Sequence, residues 1–144
     1  MKNKGLVVVL FFLVCGQHLR SQSLVVKQYG RGEGLPNGFV YTLQQDNRGF
    51  LWVSSGSEFV RFDGFHFSSG KARRAKVGQV TVSFVDSIGT LWIGYGGDHL
   101  AFYDGYYFHP VDIDSSLMPD ITAIGQLDGE IFAIAQNGTC MFLS

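Results

Sequence analysis

Carboxylates are the side chains of this 144-residue chain most abundantly placed for chemistry. Cleaving a glycosidic bond requires two carboxyl groups held on either side of it, and Glu33, Glu58 and Glu130 are available with several Asp residues. Five of the nine Asp residues stand in glycine-containing strings, Asp46-Asn47-Arg48-Gly49, Asp63-Gly64, Asp86-Ser87-Ile88-Gly89, Asp104-Gly105 and Asp128-Gly129. In such strings the ordinary work of an Asp side chain is to hydrogen-bond its own turn. His66, His99 and His109 share no common spacing and have no neighbouring Cys, whereas a zinc site needs three or four converging ligands. Gly30-Arg31-Gly32-Glu33-Gly34 has the glycines of a phosphate loop without the Lys-Ser/Thr ending or a following helix. No nucleophile can be paired with a base. The expectation is a chain with no catalytic residue, no cofactor and no metal. Trp52 and Trp92 could stack on a sugar ring, but their mid-strand positions favour packing in a core.

The elements that hold these residues are repeated. Gly49-Phe50-Leu51-Trp52 returns 40 residues later as Gly89-Thr90-Leu91-Trp92 and again as Gly129-Glu130-Ile131-Phe132. Asp46 and Asp86 keep one distance ahead of their glycines, and Asp63-Gly64 returns as Asp104-Gly105. A period near 40 built from short alternating strands belongs to propeller blades, since helical repeats of that length carry a 3.6-residue pattern. The first copy reads as strands at Val40 to Leu43, Leu51 to Val53 and Phe59 to Phe62, with Phe65 and Phe67 opening a fourth. The second reads as Val80 to Val85, Leu91 to Ile93, Leu100 to Tyr103 and Tyr107-Phe108. The third stops after Ile121 to Leu127, Ile131 to Ala135 and Cys140 to Leu143. Asp-Gly and Asn-Gly between the strands are hairpin chemistry, because those turns require positive φ. The fold class predicted is all-β, about three antiparallel blades of an incomplete ring, divided into repeats at 40–79, 80–120 and 121–144 after a lead-in at 22–39.

Composition agrees with this and adds a location. Glycine (19) and Phe (13) are plentiful and Pro (3) is scarce, as expected of short aromatic strands joined by tight turns. Lys2 and Lys4, the apolar run Leu6 to Val14 and the small polar stretch Gly16 to Gln22 have the order of a secretory signal peptide over residues 1–21, cut after Ser21. The run is too short to span a membrane, and Val14 is bulkier than the residue a lipoprotein signal places before its Cys. Removing the leader takes Lys2, Lys4 and Arg20 with it and leaves 8 of the 11 basic groups against 12 acidic ones. A mildly acidic segment invites neither nucleic acid nor an anionic membrane. The basic residues Lys71, Arg73, Arg74 and Lys76 read as a solvated connection between blades. Cys140 would be left without a disulfide partner and is expected to be a buried, inert thiol.

Gly34-Leu35-Pro36-Asn37-Gly38-Phe39-Val40, Asp46, Gly49, Leu51-Trp52-Val53 and Arg61-Phe62-Asp63-Gly64 resemble the two-component regulator propeller repeat. Its pattern is a GLP turn, an Asp-x-x-Gly-x-Leu-Trp core and an Arg-Tyr/Phe-Asp-Gly close. The resemblance covers about residues 29–143, strong in two copies and weaker in the third. Ser54-Ser55 departs from the usual Gly-Thr, and Phe132 stands in the Trp position. The resemblance implies the N-terminal periplasmic sensor part of a hybrid two-component sensor histidine kinase, of a kind common in Bacteroidetes, which dimerises and binds breakdown products of polysaccharides. It also implies further blades, a β-sandwich, a membrane helix and kinase modules beyond Ser144, so a truncated or split reading frame is expected, marginally stable until its remaining blades cap it. Loops after the second strand of each copy fall on one rim. Ser55, Ser57, Glu58, Tyr95, Asp98 and His99 are therefore the candidate ligand contacts, with an oligosaccharide as the ligand and a homodimer as the assembly.

Two other readings compete. A stand-alone secreted propeller that binds glycan or protein needs no kinase. A propeller hydrolase would carry Asp-box turns, S-x-D-x-G-x-T-W, but Asp86-Ser87-Ile88-Gly89-Thr90-Leu91-Trp92 has two residues between Asp and Gly and its Thr too early.

Overall fold

The computed structural model describes residues 24–55, 58–69, 79–97, 99–114 and 120–143. The expected leader, the basic connection at 71–76 and the candidates Ser57 and Asp98 lie outside them. Eleven strands make three antiparallel sheets among the described residues. Sheet one runs β1 (Val40–Gln45), β2 (Leu51–Ser55), β3 (Glu58–Phe62) and β4 (Phe67–Ser69). Sheet two runs β5 (Val80–Val85), β6 (Leu91–Tyr95), β7 (His99–Tyr103) and β8 (Phe108–Val111). Sheet three has β9 (Ile121–Leu127), β10 (Glu130–Ala135) and β11 (Cys140–Leu143). Spatial order follows chain order in each, and the first strands pack side by side, β1 on β5 and β5 on β9. These are propeller blades. Phe65 and Tyr107 stand in the turns ahead of β4 and β8, not within the strands.

Alternation along each strand supplies both faces of a blade, because successive side chains point to opposite sides. Trp52, Phe59 and Phe108 fill the space between sheets one and two with Leu91, Ile93 and Ala101. Trp52 stacks on Phe59 at 5.3 Å between ring centroids and meets Tyr103 and Phe108 edge-on at 5.0 and 5.7 Å. Between sheets two and three the filling is aliphatic: Leu100, Ile121, Ile124, Ile131, Ala133 and Ala135, with Trp92 and Phe102 on its margin. The segment before β1 covers the outer part of sheet one, where Tyr29 packs on Phe62 and Phe67 at 4.8 and 6.0 Å.

Polar seams join neighbouring blades close to their first strands. The Ser54 hydroxyl donates to the Val80 carbonyl at 2.6 Å, and the Thr81 hydroxyl to the Ile121 carbonyl at 2.5 Å. Ser54 thus has a use that glycine could not supply. At the matching position in sheet two, a Cβ on Gly94 would come within 2.8 Å of Ile121 and Val82 side-chain atoms, so only glycine fits there. Cys140 is exposed, contrary to the buried thiol expected. It begins β11, the outermost strand of sheet three, and lies at the sheet's end beside the Asn137-Gly138 turn.

Candidate functional site

Each four-stranded blade has two ends of different character. The β1–β2 and β3–β4 turns of sheet one share one end with the β5–β6 and β7–β8 turns of sheet two; the last residues of β2 and β6 and the first of β3 and β7 form the other, the rim.

At the turn end the aspartates are structural. The backbone N–H of Asp46 donates to the Phe50 carbonyl, and the Gly49 N–H donates back to Asp46. Gly49 has φ 86°, a left-handed conformation that closes the turn and favours glycine. Asp46 Oδ1 accepts from the Arg48 and Phe50 N–H groups, both at 3.0 Å, and Oδ2 accepts the Trp52 indole N–H at 2.9 Å. Asp86 repeats every bond, to Ile88 at 3.1 Å, Thr90 at 2.7 Å and the Trp92 indole at 2.9 Å. The carboxylate therefore satisfies a polar atom that would otherwise be stranded in the core. The spacing of Asp and Trp in the sequence contained this bond, but hairpin patterning alone does not predict it.

Asp63 and Asp104 close the second turn of their blades. Asp63 accepts from Phe65 and His66 N–H groups at 2.8 and 2.7 Å. Asp104 accepts from Tyr106 and Tyr107, both at 2.7 Å, and its other oxygen lies 2.7 Å from His109 Nε2. The Tyr107 N–H, then His109, then the Tyr106 N–H hold the Asp104 carboxyl down at about 2. The His66 and Phe65 N–H groups lower that of Asp63 as well. Glu33 is likewise engaged, accepting from the Gly30 N–H at 2.7 Å. These carboxylates are spoken for by their own turns.

At the rim end the candidate contacts separate by burial. Glu58 and His99 are exposed and begin β3 and β7, where they pair with Ser55 and Tyr95 across the hairpins. Ser55 is buried, its hydroxyl donating to the Pro36 carbonyl at 2.9 Å. Tyr95 is buried too, and burial pushes its phenol up to about 12. The rim therefore brings Glu58 and His99 to its surface and puts Ser55 and Tyr95 beneath it.

Asp120, which the sequence did not single out, ties the rim together. Its Oδ1 accepts the Gly97 N–H at 2.5 Å and its carbonyl accepts the Gln136 N–H at 3.0 Å, linking the loop after β6 to the end of β10. It does so at φ 30°, a region that Asp tolerates better than most residues. No recognisable string announces it, because both of its partners lie more than ten residues away.

Among the described residues no group of three or more His, Cys, Asp or Glu side chains converges as metal ligands would. Nor is any described helix long and apolar enough to cross a membrane.

Residues 34–57 match the family model of the two component regulator propeller, which spans the lead into sheet one and its Asp46–Trp52 hairpin. No curated protein matches the chain. Among solved structures, the chain is similar to the extracellular domain of the hybrid two component system BT3049 from B. thetaiotaomicron, with a TM-score of 0.71 at 19% identity. The likeness covers 82% of this chain and 18% of that one, so the chain spans under a fifth of its neighbour's length. What the two share is the fold: this chain has the blade architecture of that extracellular domain, and its first blade carries a match to the regulator propeller repeat.

Proposed function

We propose that this chain forms the first blades of a periplasmic propeller that senses a ligand for a two-component phosphorelay. Residues 1–21 export it, it catalyses no reaction itself, and further blades complete its ring. The observation that carries the reading is the coincidence of the regulator propeller match at 34–57 with the hairpin in which Asp46 holds Trp52. The blade likeness to an extracellular domain of a hybrid two component system supports it.

Ligand recognition is assigned to the rim end, with Glu58 and His99 as exposed contacts for an oligosaccharide and Ser55 and Tyr95 buried beneath them; Ser57 and Asp98, outside the described residues, complete the candidate set. Loops on a rigid scaffold are the usual place for such contacts. Dimerisation of the completed sensor would bring two such propellers together.

Sequencing the DNA and transcript past codon 144, in every frame for about three kilobases, tests the reading. Further 40-residue repeats leading to a membrane helix and a histidine kinase are the expected result. A stop with no such continuation would defeat it in favour of a free secreted propeller. Export is checked separately by fusing the chain to a phosphatase that is active only outside the cytoplasm. An inactive fusion would remove the periplasmic assignment.

A further inference from the structure

The turn end carries more than hydrogen-bonded turns. Two adjoining clefts, of about 360 and 330 Å³, open between sheets one and two and share Tyr103 and Gly105 in their walls. Arg48 lines the first, and Arg61 the second together with Ser68, Ser69 and Tyr106. Both guanidinium groups lie against the same Phe50 ring, at 5.7 and 4.3 Å from its centroid, and Arg48 is also 5.7 Å from that of Tyr103. Arginine held over aromatic rings keeps its donors pointing outward.

Two carboxylates face two guanidinium groups here, but the carboxylate oxygens are mostly taken by their own turns, which leaves the arginine donors the more available. Asp46 and Asp104 line the first cleft. Yet Asp46 is buried and gives its oxygens to two backbone N–H groups and the Trp52 indole, with Arg48 only at 4.0 Å. Asp104 is engaged by Tyr106, Tyr107 and His109. Arg61 makes no ion pair among the described residues, and the neighbouring sequence 70–78 contains no acid. The set belongs to this one junction, because Arg48, Phe50 and Arg61 are replaced in the second repeat by Ile88, Thr90 and Phe102. Tyr106, 78% exposed, adds a flat face at the mouth of the second cleft.

We infer that this paired cleft binds a small organic anion, with the ring of the ligand against Tyr106 and its carboxylate between Arg48 and Arg61. Guanidinium groups suit carboxylates through paired, charge-assisted hydrogen bonds; Ser69 offers a hydroxyl for a neutral polar group of the ligand, while the Ser68 hydroxyl, which donates to the Arg61 carbonyl at 3.3 Å, keeps its lone pairs to accept. A uronic acid sugar and an aromatic carboxylic acid share this chemistry. Binding here requires no kinase, and the site lies at the opposite end of the blades from the rim.

The test is calorimetric titration of the full chain with digalacturonate, with its neutral analogue galactobiose, and with 4-hydroxybenzoate. At least one of the two acids is expected to bind and galactobiose not to, and the acid that binds identifies the source. Arg48→Gln and Arg61→Gln should each weaken binding by about tenfold or more, as expected for loss of a charge-assisted bond, and Tyr106→Ser should weaken it less. Circular dichroism confirms that each variant is folded. Binding should also weaken as salt is raised, a readout on the unaltered chain that holds if a variant fails to fold. No binding of either acid, binding indifferent to salt, or binding unchanged in folded Arg variants would overturn the inference. Because signalling is not measured, failure here leaves the sensor reading standing, and failure of that reading leaves this site standing.

Discussion

The first hairpins of sheets one and three occupy the same place in their blades and are built differently. In sheet one, Gln45 pairs with Leu51 across a turn that Asp46 organises, and the carboxylate reaches Trp52. In sheet three, Leu127 pairs with Glu130 across only Asp128 and Gly129, both at positive φ, 51° and 92°. This is the two-residue loop that matches strand twist most directly. Counted by the 40-residue spacing, Gln126 stands where Asp46 and Asp86 stand, and Phe132 where the two tryptophans stand. Acceptor and donor are lost together. A lone Trp at 132 would bury an N–H with no carboxylate, and a lone Asp at 126 would have no indole to serve. Gln126 instead accepts from the Ser87 N–H of the neighbouring blade at 2.8 Å and donates to its own Gly129 carbonyl at 3.1 Å. The aspartate and tryptophan thus form one unit, kept or discarded whole.

Breaking that unit should give the largest effect. Trp52→Ala removes the ring between Phe59, Tyr103 and Phe108 and is expected to lower unfolding free energy by about 3–5 kcal/mol, measured by urea denaturation. A loss under about 1 kcal/mol would show that the aromatic junction is not the main support of sheets one and two.

Asp46→Ala leaves the buried indole N–H without its acceptor and should cost about 1–3 kcal/mol, whereas Gln126→Ala should cost less than about 1 kcal/mol. Equal losses would erase the contrast between the hairpins. Combining Asp46→Gln with Trp52→Phe should cost less than the sum of the single changes, the signature of a coupled pair.

Placing the ring without its partner sharpens the point from the other side. Phe132 lies over Gly125, where an added Cβ would come within 2.4 Å of the ring. Phe132→Trp is therefore expected to destabilise by about 1–3 kcal/mol through overpacking, in spite of restoring the repeat. A stabilised variant in the same denaturation assay would contradict this.

The smallest effect concerns the second turns of sheets one and two. Asp104 has His109 beside it, while Asp63 has Ser68 at the corresponding position. Both carboxyls are depressed on folding, so each stabilises its turn fully above the ordinary value of 3.8 and loses that contribution as pH falls; for Asp104 the loss runs down through about 2. His109→Gln should raise the Asp104 value part of the way, since the Tyr107 and Tyr106 N–H groups remain, and leave Asp63 unmoved. Carbon NMR titration of the two carboxyls measures this, and an unchanged Asp104 would mean that His109 contributes nothing.

Much of the architecture was legible because it is local. A 40-residue period, alternation within strands and glycine at each turn place three blades and nearly every strand, and all three depend on residues a few positions apart. The third sheet was recognisable as a weaker copy from Gly129-Glu130-Ile131-Phe132, with Phe132 in the Trp position. The rim candidates were legible only as loops. Their split into surface residues, Glu58 and His99, and covered ones, Ser55 and Tyr95, depends on what packs above them. Cys140 was misjudged for the same reason, since an apolar string does not say which end of an outer strand faces solvent.

The sequence by itself determined the class of fold, the number of blades and the turns at their ends, because turn chemistry and strand period are properties of short segments. Only the tertiary structure decided how the blades meet: Ser54 on Val80, Thr81 on Ile121, glycine at 94, Asp120 bridging two rim loops, and Arg48 and Arg61 against one Phe50 ring. Most of these contacts join residues from different hairpins or blades, and even Arg48 and Arg61, within one blade, meet at Phe50 only when their strands pair. Their partners are chosen by the stacking of sheet on sheet, which no periodicity within a single strand encodes.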